Sequence, residues 1–421
     1  MNTSTSKASR ASSNSRIMSR FQSAVVPARR TGQAAIIAAA LVLAGCGSAP
    51  TRQAEPAPAP TSPHAVPATP GSPDGPGAAA VPSATETVPG TLQRGKSRWV
   101  PVAWAELPGF DADALHEAWN AWLQSCERPG PVFAPLCGDV RRLSIASAGE
   151  QRAWMLARLQ PYRVESPQGV ADGLLTSYYE PVLKASRLPT AAFSVPLYKT
   201  PAALGSRKPW FSRQDIDTLL EARNALKGRE IAYLADPIDA LLLHIQGSGR
   251  LRVAEADGSE RLVRVAFAGS NDQPYRSVNQ WLLEQGVSKI NPWPDATKAW
   301  AAQNPQRVNQ LLWSNPRYIF FREEALAAAD LSVGPKGAQG VALTPGRSIA
   351  VDPLSIPYGT PVWLASSGRA AQLQKLVLAQ DTGSAIVGAV RADYFAGTGA
   401  EAGLLAAAVN QPLRLWVLWP K

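Results

Sequence analysis

The chain is short of the side chains that most often carry metal and redox chemistry. It has three cysteines and three histidines in 421 residues, with no CxxC or HExxH spacing. A cysteine- or histidine-ligated metal centre is therefore not expected, and no motif asks for a cofactor. Long hydrophobic runs are lacking as well. The apolar stretch Ala34–Ala44 has eleven residues, too few to cross a bilayer as a helix. Nor is there a stripe of Lys or Arg interleaved with aromatics, so a nucleic-acid partner is not expected.

The N-terminus does carry a targeting pattern. Residues 1–33 hold six Lys/Arg and no acid, and the apolar run after them ends Leu43-Ala44-Gly45-Cys46. Small residues before a cysteine resemble a bacterial lipobox, which implies cleavage before Cys46 and diacylglycerol on its sulfur. Gly47 at the next position resembles lipoproteins sorted to the outer membrane. The expected location is that membrane, lipid-anchored and facing the periplasm. The basic stretch is long for a signal, which makes Met18 an alternative start. Processing also changes the charge: without the six early cations, 36 basic residues face 32 acids, about +4 instead of +10. A chain so near neutrality gives no charge-driven argument for nucleic acid, though it tolerates an anionic polymer.

Residues 49–90 contain eleven prolines among small residues. Such a composition cannot bury enough apolar surface to offset its ordering entropy, and where extended it reaches on the order of 100 Å. We read 1–45 as signal peptide and 46–95 as anchor and tether. Roughly 325 residues remain to fold, enough for two domains. In an oxidising compartment Cys126 and Cys137, eleven apart, are expected to pair, with two free buried thiols as the alternative.

Helical signals come first in the folded part. Within Asp111–Cys126, Leu115, Trp119, Trp122 and Leu123 fall at helical spacing. Ser147 with Glu150 opens a second helix by capping-box chemistry, and Pro161 stops it. Ser212 with Asp215 and Ser277 with Gln280 open others further on. Leu174–Val182 reads as an aromatic strand. After Gly337 only short strands are expected: Ser348–Val351, Pro361–Leu364, Leu376–Gln380 and Leu413–Trp419, set off by Gly/Pro turns. Helices first and barrel-like strands last give an α+β fold, mainly β, with the middle inserted into a split outer domain.

The candidate chemistry concentrates in Leu376–Gly399, where Asp381 follows an apolar run and Asp393 lies between Arg391 and Tyr394-Phe395. Three further segments depart from ordinary core patterns: Ser177-Tyr178-Tyr179-Glu180-Pro181, His244-Ile245-Gln246-Gly247-Ser248-Gly249-Arg250, and Asn315-Pro316-Arg317-Tyr318 with the three residues after it. Together with Asp352-Pro353 and Ile356-Pro357-Tyr358-Gly359-Thr360, these motifs in this order resemble the membrane-bound lytic murein transglycosylase A family and its C-terminal three-aspartate module. The resemblance covers roughly Trp99 to Pro420.

That resemblance implies a double-psi β-barrel from residues 96–184 and 326–421, a second β-rich domain from 185–325, and a groove between them for peptidoglycan glycan strands. The implied reaction cleaves the β-1,4 bond between N-acetylmuramic acid and N-acetylglucosamine without water, leaving a 1,6-anhydromuramoyl end. Cell-wall synthesis or division proteins are candidate partners. Ordinary glycosidases use two carboxylates, but here the sugar's own C6 hydroxyl is the nucleophile, so one acid can serve twice. Asp393 matches the family's catalytic acid, and Asp381 the aspartate that shapes the site. Asp352 is expected to be structural. Tyr178, Tyr179, Glu180, Gln246, Gly247, Ser248 and Gly249 are candidate sugar contacts; one tyrosine is expected in the core, and Glu180 is the rival acid. Arg391 poses a conflict, because a neighbouring cation lowers a carboxyl pKa. Two other classes stay open: a peptidoglycan-binding scaffold, and a dimeric aspartic-protease-like peptidase built on Asp381-Thr382-Gly383.

Overall fold

The computed structural model describes residues 88–288 and 294–421. The signal segment, Met18, Cys46 and most of the tether lie outside the described residues. Among the described residues, no helix is long and apolar enough to cross a membrane. The first strand among the described residues lies inside the stretch assigned to the tether. Strand β1 (Leu92–Arg94) hairpins onto β2 (Ser97–Pro101), and the Arg94 guanidinium lies 4.4 Å and 4.8 Å from the ring centroids of Trp99 and Trp419.

The remaining strands fall into two sheets. β3 (Leu159–Glu165) and β4 (Gly173–Glu180) complete the N-terminal set. β5 (Val182–Ser186), β6 (Val195–Tyr198), β7 (Glu230–Leu234), β8 (Ser248–Ala254), β9 (Glu260–Ser270) and β10 (Ile319–Ala325) occupy the middle of the chain. β11 (Ser348–Val351), β12 (Pro361–Ser367), β13 (Gln372–Asp381), β14 (Arg391–Thr398) and β15 (Asn410–Pro420) end it.

The first sheet runs β1-β2-β3-β15-β12-β13-β11-β14-β4, and β4 pairs back onto β15. The six strands from β15 round to β4 therefore close into a barrel, with β11–β13 and β14–β4 parallel and the other pairs antiparallel. Closure removes sheet edges at the place where long-range pairing must be held. This is the mixed, strand-rich barrel that the double-psi expectation requires. The second sheet runs β10-β9-β8-β5-β7-β6, built only from the middle of the chain. Between the sheets the chain turns at Pro181, directly after β4.

Local signals at the helix starts were reliable. Ser147 and Ser212 form complete capping boxes with Glu150 and Asp215, and the Gln280 N–H donates to Ser277. The helix Leu115–Ser125 buries Trp119 and Trp122 against the outside of the barrel. Buried Arg347 fastens this helix, donating to Asp113 and Glu117 and to the Leu376 carbonyl. Cys126 and Cys137 are joined as a disulfide just beyond it.

One expectation fails. The C-terminal part is not strands alone, because Ala400–Ala408 is a helix. Its sequence, Ala-Glu-Ala-Gly-Leu-Leu-Ala-Ala-Ala, is almost uniformly apolar and so lacks the two-faced periodicity that marks most helices. It is alanine-rich and therefore helix-favouring, and it buries Ala402 beside Tyr179 and Leu242.

Candidate active site

Sheet register brings the two aspartates together. Ala350 on β11 lies opposite Asp381 on β13 and opposite Asp393 on β14. Asp393 in turn lies opposite Thr176 on β4. Their backbones thus form one row across the barrel, with the aspartates two strand spacings, about 10 Å, apart. Both open into a cleft of about 910 Å³. The barrel contributes Thr176, Tyr178, Ala350, Asp381, Arg391 and Asp393 to its lining. The middle of the chain contributes His244, Gln246, Gly247, Ser248, Phe267 and Tyr275 from the opposite side.

Asp393 is the more perturbed acid. Burial among protein atoms pushes its carboxyl up to about 6; a hydrogen bond from Thr176 and the Arg391 charge oppose this, and the Asp381 charge adds to it. The Thr176 hydroxyl donates to Asp393 Oδ1 at 2.5 Å, and Arg391 Nη2 donates to that same hydroxyl oxygen at 2.8 Å. Arg391 therefore reaches Asp393 through a neutral intermediary, not as a direct ion pair. This resolves the conflict seen in the sequence: the cation is present and lowers the pKa, but burial outweighs it.

Asp381 is held more fully. The Tyr178 hydroxyl donates to Oδ2 at 2.8 Å and the Ala338 N–H to Oδ1 at 2.9 Å. Burial raises its pKa against these bonds. The helix Leu115–Ser125 fixes the end of β13 through Gln380, whose side-chain amide donates to the Ala121 carbonyl and the Ser125 hydroxyl, each at 2.8 Å. Asp381 is thus carried at the end of a clamped strand. Its partner groups suit an ionised, fixed carboxylate.

The other sequence candidates divide. Tyr178 lines the cleft, whereas Tyr179, one residue on and on the opposite strand face, packs with Leu242 and Ala402 in the core. Glu180 corrects the expectation more sharply. Its side chain has no exposure and is neutralised by Arg250 Nε at 2.7 Å and Arg264 Nε at 2.5 Å, with Thr398 donating as well. It can neither touch a sugar nor act as the rival acid. Gln246 lines the cleft while its Oε1 accepts the Tyr179 N–H at 2.9 Å. Gly247 ends the helix Pro237–Gln246 at φ 80°, a conformation that favours glycine. Gly249 is not a cleft residue; a Cβ there would lie 2.2 Å from Leu243 Cδ2, so its role is close packing. Asp352 accepts from Lys96 at 2.9 Å and from the Gly388 N–H at 2.9 Å, pinning the loop before β14 to the N-terminal hairpin. No group of His, Cys, Asp and Glu fit to hold a metal occurs among the described residues.

Sequence reading missed Thr176 and Tyr275. Thr176 is an ordinary strand threonine until β4 is known to pair with β14. Tyr275 stands in a polar loop and lines the same cleft as Asp393; burial raises its pKa, a hydrogen bond with Ser277 opposes this, and the Asp393 charge adds to the rise.

Residues 174–322 match the family model described as the MltA specific insert domain, and residues 347–419 match the 3D domain. Membrane-bound lytic murein transglycosylase A of Escherichia coli K12 is 31% identical over 284 residues, 65% of this chain and 73% of that one. The Vibrio cholerae protein of the same name is 31% identical over 256 residues, 58% of this chain and 65% of its own length, just under two thirds. Among solved structures, the lytic transglycosylase LtgG of Burkholderia pseudomallei is 41% identical, with 80% of this chain and 98% of that one covered at a TM-score of 0.54. MltA of Neisseria gonorrhoeae is 28% identical, with 78% and 94% covered at a TM-score of 0.64. A closed barrel with its cleft acids, matched across both halves of the folded chain, belongs to the membrane-bound lytic murein transglycosylase A family.

Proposed function

We propose that the protein is a lytic transglycosylase that cleaves the β-1,4 bond between N-acetylmuramic acid and N-acetylglucosamine in peptidoglycan. Asp393 serves first as acid and then as base. Protonated, its carboxyl gives its proton to the glycosidic oxygen as the bond to the muramoyl C1 breaks. The resulting carboxylate then takes the proton of the C6 hydroxyl as that oxygen bonds to C1, closing the 1,6-anhydro ring. Asp393 ends protonated, ready for another turn, and no water is consumed. The observation that carries this reading is a carboxyl held near pH 6 by burial, open to a long cleft and free of a direct cation. A general acid needs a pKa in this range to be protonated and still able to transfer.

Asp381 shapes the site. Its charge helps keep Asp393 protonated, and its bonds to Tyr178 and Ala338 hold the loop beside β13. Phe267, 47% exposed on the opposite wall, and Tyr178 offer faces on which sugar rings can stack. Residues 96–184 with 326–421 act as the catalytic domain and 185–325 as the substrate-groove domain. Lipid on Cys46 anchors both to the outer membrane.

Incubation with purified sacculi, followed by mass analysis of the released fragments, tests the reading. Anhydromuropeptides that vanish with Asp393→Asn are expected. Reducing ends would indicate a hydrolase, free peptides a peptidase, and no release a binding scaffold.

A further inference from the structure

The cleft is more cationic than the proposed chemistry requires. Five Lys or Arg side chains line it, against two acids, Asp381 and Asp393. Two of the five are accounted for. Arg391 reaches Asp393 through Thr176, and Arg322 pairs with Glu324 at 2.8 Å. The other three, Arg128, Arg317 and Lys336, have no carboxylate within ion-pairing distance among the described residues. The charges acting on Asp393 are those of Arg391 and Asp381, so the acid does not explain these three either.

Each of the three has a fixed backbone and a free tip. Arg128 follows the helix Leu115–Ser125 in a turn closed by its own N–H to the Ser125 carbonyl at 3.2 Å, beside the Cys126–Cys137 disulfide. Its carbonyl accepts from Gln339 Nε2 at 3.1 Å. Its exposed side chain passes over Gly340, where a Cβ would meet Nη1 at 2.9 Å, so only a glycine leaves that path open. The same loop, 335–340, carries exposed Lys336 and gives Asp381 the Ala338 N–H. Arg317 stands on the other wall, just before β10, and is half-buried. Of its guanidinium nitrogens only Nη1 has a partner, the Gln273 carbonyl at 3.3 Å; Nε and Nη2 stay open to solvent. Burial works against its charge, and Asp272 offsets this from beyond ion-pairing distance.

A half-buried guanidinium without a counter-charge is destabilising, and neutral sugar hydroxyls do little to offset that. On a peptidoglycan strand the sugars are uncharged once the lactyl acid is amide-linked, and the free carboxylates belong to the stem peptides. A carboxylate also fits a guanidinium fork through two parallel hydrogen bonds. We propose that Arg317, with Arg128 and Lys336 across the cleft, binds carboxylates of the peptide stems and so sets a preference for stem-bearing strands. The proposal rests on the glycan-cleaving reading above and names the part of the substrate that reading leaves open.

Three substrates test it: strands with native stems, the same strands with stem carboxyls capped as methylamides, and strands stripped of peptide by an amidase. Wild-type kcat/KM should fall at least about tenfold on capping, chiefly through KM, and stripped strands should be cleaved no better than capped ones. Arg317→Gln should lose about tenfold of the preference for native over capped stems, the scale of a charge-assisted hydrogen bond. Arg128→Gln and Lys336→Gln should lose about two- to fivefold each, the scale of exposed ion pairs. Arg317→Lys, which keeps the charge, should recover part of the preference. Arg128 and Lys336 are exposed, so their variants keep the test open even where Arg317→Gln fails to fold. Equal turnover of native and capped strands by the wild type overturns the proposal, as does a loss in the variants that is the same on all three substrates. Anhydro products from all three without preference would remove this inference alone. Anhydro products from none would remove the proposed function with it.

Discussion

Two carboxylates near the barrel's rim meet opposite environments. Glu180, the last residue of β4, is fully buried and bound by two arginines from the second sheet and by Thr398 from the barrel. Asp393, on the neighbouring β14, has a threonine hydroxyl and only an indirect cation. Glu180 is a charge made harmless by complete pairing, and it ties the two sheets where the chain crosses between them. Asp393 is a charge left under-paired, so burial pushes its carboxyl up to about 6. Glu180 is fully buried and Asp393 partly so, open on the cleft side. The difference in pairing separates a fastening from an acid.

The sharpest way to break that contrast is Asp393→Asn. Loss of general-acid transfer should cut anhydromuropeptide release by about 10²–10⁴-fold. The same substitution has a stability signature with a defined sign. A carboxyl whose folded pKa is raised above its unfolded value loses stabilisation as pH climbs through the folded value, here about 6. Asp393→Asn should therefore raise the unfolding midpoint at pH 8, and the gain should vanish near pH 4. An unchanged midpoint at both pH values would mean that the acid is not held protonated by burial.

Glu180→Ala should fail differently. Stripping a buried carboxylate from two arginines leaves uncompensated charge and should cost about 3–5 kcal/mol, measured by denaturant unfolding. Normal stability with lost turnover would place Glu180 in the chemistry and undo the comparison.

Milder changes sharpen it. Asp381→Asn removes a like charge and should lower the Asp393 pKa, so that the basic limb of kcat/KM moves to lower pH and activity at pH 7 drops by about two- to threefold. Arg391→Met acts in the reverse sense and by more, because the Arg391 charge is the larger of the two influences on Asp393. Removing the cation should move that limb from about 6 to higher pH. Shifts of the same sign in both variants would contradict the electrostatics assigned to the row Asp381–Ala350–Asp393–Thr176.

The middle of the chain shows why some residues were misread. Tyr178, Tyr179 and Glu180 form one strand-like aromatic motif, yet one faces the cleft, one the core and one an ion-pair hub. Alternation on a strand says that neighbours part company, but not which side holds solvent. The arginines that neutralise Glu180 are 70 and 84 residues away, on strands whose pairing no local pattern reveals. Gly247 and Gly249 are both candidate sugar contacts in the sequence, though one serves a positive φ and the other a close packing contact. The helix Ala400–Ala408 escaped because its composition is apolar on every side.

The sequence by itself determined what is local or covalent: the capped helix starts, the strand segments around the acids, the paucity of metal ligands, and the ordered motifs that point to the family. It also placed Asp381 and Asp393 as the acids worth attention. The roles proposed for them rest on the tertiary structure. A pKa depends on burial and on charges brought near by pairing, and the partners of Asp393, Thr176 through β4 and Asp381 across β11, come from strands that meet only when the barrel closes.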